Sequence, residues 1–136
     1  ECIGDAKWFL EKGAAYAKER VIFGNPIGKN QGVQFPLAKA YAHMIAAEAI
    51  VYRAAGLYDD GFDPGVEANS AKMLAADASW EAAEACLQTH GGFGFAEEYD
   101  VERKFREARL YQVAPISTNL ILCFIAERVL GLPKSY

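Results

Sequence analysis

Three stretches of this sequence set donors, glycines and aromatics where a phosphate or a ribose could be held. The first is ERVIFGNPIGKNQ, with Arg20 at the end of an expected helix, then Phe23, a glycine turn and Gln31. Arginine offers a planar fork of donors that matches phosphate oxygens. The same residue also serves as a favourable cation at a helix C-terminus, followed by an ordinary loop. The second stretch is QTHGGFGF, with Gln88 just before Gly91 and Gly92. Glycines let a ligand approach the backbone and reach its N–H groups, and they also end helices. The third is FREARLYQVAPISTN, which joins Arg106 and Arg109 to a helix interrupted at Pro115, with Ser117, Thr118 and Asn119 after it. Irregular backbone between two helices leaves N–H and C=O groups free, which suits a binding position or a plain kink.

Other chemistries find little support. His43 and His90 are the only histidines, and neither has a second ligand at helical spacing; a zinc site wants three or four converging ligands. His43 reads instead as a partly buried helix residue. No Gly-x-Ser-x-Gly elbow is present, and no cysteine has a base nearby in sequence. Cys2, Cys86 and Cys123 lack metal-type or redox-type spacing and fit the reduced thiols of a cytoplasmic protein. The formal charge of −4 argues against a nucleic-acid surface, which needs a basic face. No apolar run approaches the roughly 20 residues that cross a bilayer, and no signal-peptide pattern stands at the start.

The elements that must position these groups are helices. The chain has 136 residues, a one-domain length, and 52% of them are hydrophobic, many of them alanine. Ile3, Ala6, Leu10, Ala14, Ala17 and Val21 form an apolar stripe on a first helix running to about Arg20. Phe23 to Gly32 reads as a loop. A second helix is expected from Phe35-Pro36 to about Leu57, with Pro36 in its first turn. Its only charges are Lys39, Glu48 and Arg53, so it is expected to bury more than one face or to meet another subunit. Tyr58 to Gly65 is a turn. A third helix spans about Ala68 to Thr89, capped by Asn69 or Ser70 and striped with Met73, Ala76, Trp80, Ala83 and Leu87. Gly91 suits its stop. A fourth begins near Val101, breaks at Pro115, and resumes from about Ser117 to Leu130, with Ser117 or Thr118 as cap and Gly131 and Pro133 as stop. No strand is expected. The fold class is all-α: an antiparallel, up-and-down four-helix bundle with its last helix broken near Pro115.

Taken together, in this order and spacing, ERVIFG…NQ, QTHGGFGF and EYDVERKFREARLYQ resemble the acyl-CoA dehydrogenase family. The resemblance covers essentially the whole chain and corresponds to that family's C-terminal helical domain, so residues 1–136 read as part of a larger flavoprotein. It implies FAD, held between this bundle and two other domains and completed by a neighbouring subunit. It also implies homo-oligomers, dimers or tetramers, built around such bundles. By the resemblance, Arg20, Phe23 and Gln31 would touch the adenine-nucleotide part of FAD. Gln88, Gly91 and Gly92 would line its pyrophosphate, usually across a subunit boundary, and Ser117, Thr118 and Asn119 would meet it near the active site. The implied reaction is α,β-dehydrogenation of an acyl-CoA thioester, with electrons passed on to an acceptor, often an electron-transfer flavoprotein.

The sequence departs from the family at one point. Many members carry the catalytic glutamate at the break, in a YEGTS-like segment; here APIST puts Pro115 at the glutamate position and Ile116 at the glycine. Proline cannot accept a proton, so no catalytic residue is assigned within this chain. Three explanations stand. The base comes from an earlier helix, at a position that would precede Glu1; or the chemistry is that of a same-fold flavin monooxygenase or oxidase; or activity has been lost. Glu97, Glu98 and Glu102 read as a solvated turn and a helix start. A non-catalytic helical assembly domain is the remaining alternative.

Overall fold

A computed structural model describes residues 1–135. Helix α1 is Cys2–Glu19, α2 Gln31–Asp59, α3 Gly65–His90, α4 Val101–Leu110 and α5 Thr118–Phe124, the last continued by a π-helical turn at Ile125–Val129. Cross-links fix the directions. Lys7 of α1 pairs with Glu48 of α2, Arg53 of α2 with Glu67 of α3, and Tyr16 near the end of α1 stacks on His90 at the end of α3. So α1 and α3 run parallel, α2 runs antiparallel to both, and α4 returns along α3. This is the expected up-and-down bundle with a broken last helix.

Helix α3 is the centre, and its alanines explain why. Ala75, Ala78, Ala82 and Ala83 are buried, so α1 and α2 close on it from different sides. Ala6, Phe9 and Leu10 of α1 and Ala40, Met44 and Ala47 of α2 complete the core with Val101 and Ala108 of α4. Phe9 is the largest fully buried side chain. Cutting it to alanine would cost roughly 3–5 kcal/mol, the price of a filled aromatic site.

Several expected details change. Helix α2 starts at Gln31, so Pro36 sits inside it rather than in its first turn; the missing N–H is lost one turn in, where the helix is held by packing. Only Ala40, Met44, Ala47 and Ala54 of α2 are buried. Tyr41, Ile45, Tyr52 and Tyr58 stand exposed, so this helix does not bury several faces within the chain. Helix α3 begins at Gly65, ahead of Asn69 and Ser70. The Asp63 carboxylate takes the Gly65 N–H at 2.9 Å, and Asn69 donates to Gly65 O instead of capping. His43 is exposed, its Nδ1 2.5 Å from Glu81 Oε2. A two-strand ribbon, β1 Val21–Ile22 and β2 Asn25–Pro26, occupies part of the expected loop. Val21, assigned to the α1 stripe, lies on that ribbon and is exposed.

Among the described residues no helix is long and apolar enough to cross a membrane. No group of three His, Cys, Asp or Glu side chains converges among them as a metal site.

Candidate functional site

The ends of α1 and α3 meet at one edge of the bundle and open a cleft of about 460 Å³. Arg20, Gln88, Gly91 and Gly92 line it together, with Tyr16, Ile22, Ile27, Thr89, His90 and Phe93. Two regions nearly seventy positions apart are thus brought to one wall because α1 and α3 are parallel and end level.

The ribbon after α1 is closed by the Arg20 carbonyl, which accepts the Ile27 N–H at 2.9 Å. Its turn is Phe23-Gly24, both at positive φ, +52° and +76°. That is the two-residue hairpin geometry glycine and asparagine favour, and a phenylalanine there is strained. Phe23 is also 99% exposed. Gly28 then passes so close to α1 that a Cβ would lie 2.9 Å from the Ala17 carbonyl oxygen. The ribbon is therefore held at a fixed height over the α1 terminus.

On the other wall, Gly91 stops α3 at φ +58°, and a Cβ on Gly91 or Gly92 would meet nothing within 4 Å. The space over both glycines is open. Among the described residues no carboxylate pairs with Arg20; its guanidinium lies over the Phe93 ring, 5.5 Å from the centroid. An unpaired guanidinium, an amide and open backbone beside aromatic and aliphatic walls fit an anionic nucleotide half, phosphates on Arg20 and the base against the rings. Phe23 and Gln31 are not part of this lining. Phe23 stands on the ribbon tip and lines a separate cleft with Asn25 and Lys29, and Gln31 is the exposed first residue of α2.

Ser117, Thr118 and Asn119 lie at the opposite end of the bundle. The break packs against Ala71 and Lys72 at the start of α3, whereas the first cleft includes Gln88. Seventeen helical residues separate those levels, about 25 Å at 1.5 Å each. Part of the break's backbone is satisfied within the chain. Lys72 Nζ donates to Tyr111 O at 2.7 Å, the Thr118 hydroxyl donates to Gln112 O at 3.3 Å, and Ser117 Oγ accepts the Leu120 N–H at 3.4 Å as the α5 cap. Asn119 is exposed. The Ala114–Pro115 peptide is cis. Pro115 shares a cleft of about 330 Å³ with Glu1, Cys2 and Tyr111, among others. A hydrogen bond to the Glu1 carboxylate pushes the Tyr111 phenol up to about 12.

Arg106 and Arg109 are used elsewhere. Arg106 pairs with Glu102 one turn away, and Arg109 covers the Trp80 ring at 5.2 Å. Glu97 and Glu98 are exposed on a short turn, and Glu102 lies in the first turn of α4. Sequence reasoning missed Tyr16 and His90, which line the first cleft. Their signal was present: Tyr16 stands one helical turn before Arg20, and His90 directly precedes the glycine pair.

The acyl-CoA dehydrogenase C-terminal domain family model matches residues 1–130. Acyl-CoA dehydrogenase FadE12 of Mycobacterium tuberculosis is 40% identical over 136 residues, 98% of this chain and 35% of that protein. The structure of butyryl-CoA dehydrogenase from Megasphaera elsdenii superposes with a TM-score of 0.91 at 32% identity, covering 95% of this chain and 34% of that one. The structure of PigA with FAD and proline gives 0.91 at 25% identity, covering 96% and 34%. The chain thus spans about a third of the length of these relatives.

Proposed function

This chain belongs to the acyl-CoA dehydrogenase family, as its C-terminal helical domain, and we propose that it serves a cytoplasmic, FAD-dependent acyl-CoA dehydrogenase as cofactor-binding and assembly domain. The observation that carries this reading is the convergence of Arg20 with Gln88, Gly91 and Gly92 in one cleft. Arg20 and Gln88 would hold the diphosphate, the open backbone at Gly91 and Gly92 would let it approach, and the walls of the cleft would take the adenosine. Phe23 and Gln31 would reach the same nucleotide from the ribbon and the start of α2. Bound FAD supplies the hydride acceptor for α,β-dehydrogenation of an acyl-CoA thioester.

Ser117, Thr118 and Asn119 would approach the flavin end of a different FAD from the one held at Arg20. Their position at the far end of the bundle supports a cofactor completed by a second copy of the chain. The exposed aromatic and aliphatic side chains of α2 support the same homo-oligomer. Electrons would leave to an electron-transfer flavoprotein.

Pro115 holds no ionisable group, so the α proton must go to a carboxylate supplied elsewhere in the enzyme. A second reading, a monooxygenase or oxidase on the same fold, draws on that one residue. The test uses the full-length protein that carries this domain. With flavin bound and oxygen excluded, a panel of saturated acyl-CoAs should bleach the oxidised flavin band. Bound flavin that no acyl-CoA bleaches would reject dehydrogenation and favour the second reading, and a purified protein without flavin would reject both.

A further inference from the structure

His90 is buried, 4% exposed, yet it forms part of the lining of the Arg20 cleft. Its ring lies on the Tyr16 ring, centroids 4.2 Å apart and planes 24° apart. Tyr99 meets it nearly edge-on at 5.5 Å and also touches Tyr16. His90 Nδ1 lies 2.8 Å from the Cys86 carbonyl oxygen, so Nδ1 carries the proton and donates it, which fixes the rotation of the ring. Both ends of this arrangement lead to the cleft. The Tyr16 carbonyl accepts the Arg20 N–H at 2.9 Å, and His90 is bonded to Gly91. Tyr99 packs on Phe93, over which the Arg20 guanidinium lies. The contacts run from Arg20 through Tyr16, His90, Tyr99 and Phe93 back to Arg20.

We infer that His90 is a positioning residue: its ring, stacked on Tyr16, sets Arg20 at the spacing from Gly91 and Gly92 that grips an adenosine diphosphate group. The inference rests on the reading of this cleft as the dinucleotide site and adds to it the residue that sets its width. A leucine would fill the same volume but has no plane to lie on Tyr16 and no N–H to fix its rotation. The α1 and α3 ends would then slide relative to one another, and the diphosphate would lose simultaneous contact with both walls.

The test is calorimetric titration of ADP into the flavin-free full-length protein that carries this domain, with a thermal melt of each variant beside it. His90→Leu should weaken ADP binding about tenfold, some 1.4 kcal/mol, while still melting cooperatively. His90→Phe keeps a flat ring on Tyr16 and should restore binding to within about threefold of the wild type. If His90→Leu does not fold, Tyr16→Leu breaks the same stack from α1 and carries the same expectation. Equal ADP affinity in wild type and both His90 variants overturns the inference and leaves the cleft as a nucleotide site. Equal weakening by leucine and phenylalanine also overturns it, because the stack is then not what matters. No ADP binding by the wild type removes the nucleotide site, and the inference with it.

Discussion

Lys104 Nζ lies 2.6 Å from Asp5 Oδ1 and joins α4 to α1 across ninety-nine positions of sequence. Asp5 is nearly enclosed, with 8% of its side chain exposed, and its other oxygen, Oδ2, has no partner. The hydrogen bond that Lys104 donates to Asp5 raises the Lys104 ammonium above its ordinary range, against a smaller opposing effect of burial. This pair ties α4 to α1, while Val101 and Ala108 seat it in the core, and α4 leads directly into the break at Tyr111.

Lys104→Met should therefore leave a buried carboxylate without its cation. The loss should be about 2 kcal/mol, below the roughly 3–5 of a fully enclosed pair, because 19% of the Lys104 side chain meets water. The double variant Asp5→Leu, Lys104→Met should recover most of it, since a matched apolar pair leaves no orphan charge. Urea unfolding of the two variants checks this: similar midpoints for both would mean that the charge at Asp5 is not what is lost.

His90 gives the fold a pH dependence. Burial holds its imidazole below the ordinary value, helped by Lys12 and opposed by the Cys86 carbonyl hydrogen bond. The unfolded chain titrates near 6.5, so below that pH it binds a proton that the folded chain resists. Stability should be fully present above about pH 7 and should fall as pH drops toward 5, by at most about 1.4 kcal/mol per pH unit. The groups facing the ring are Tyr16, Tyr99, Cys86 and Lys12, and burial keeps the Cys86 thiol at about 12, outside the window. Burial raises the Glu81 carboxyl, but hydrogen bonds from Lys39 and His43 bring it below its ordinary value, so it titrates at lower pH still. Chemical denaturation between pH 7 and 5 should show the slope in the wild type and a flatter one in His90→Phe.

The helices and the break were legible because they are written in local chemistry. Alanine-rich periodicity marks α1 and α3, and Ser117 caps α5 as expected, but α4 already ends at Leu110, five positions before Pro115, so the proline marks the break without being its start. The start of α2 was not legible. Pro36 reads as a first-turn residue, yet the Asn30 carbonyl accepts the Val33 and Gln34 N–H groups and starts the helix one turn earlier. The two-residue ribbon was missed because Phe23 is a poor residue for positive φ. The cleft was half legible: Arg20, Gln88 and the glycines could be named from sequence. Their convergence depends on α1 and α3 being parallel, and the supporting roles of Tyr16 and His90 exist only once those helices pack.

Gly28 should tolerate no side chain. A Cβ would lie 2.9 Å from Ala17 O and 3.4 Å from Ala17 Cβ, and the oxygen is backbone that cannot rotate away. Gly28→Ala should cost about 1–3 kcal/mol by overpacking and lift the ribbon off α1. Faster amide exchange at Ile27, whose N–H is bonded to Arg20 O, would report the lift. An Ile27 amide as protected as in the wild type would show that the ribbon absorbs the methyl group.

The exposed side of α2 leads to the last expectation. Tyr41, Ile45 and Tyr52 lie at helical spacing and are 54%, 46% and 69% exposed. Glu48, on the same side of the helix, is already held by Lys7, and Arg53 by Glu67. What is left outward is largely apolar, and a contiguous face of that kind marks an interaction surface. A second copy of the chain is the occupant proposed here. Ile45→Asp with Tyr52→Asp should then weaken self-association at least about a hundredfold, near 2.7 kcal/mol, without lowering the melting temperature of the monomer, because neither side chain is in the core. Light scattering across a concentration series, read beside the melt, decides it. A wild-type chain that stays monomeric at millimolar concentration would mean that this face is covered by something other than its own copy.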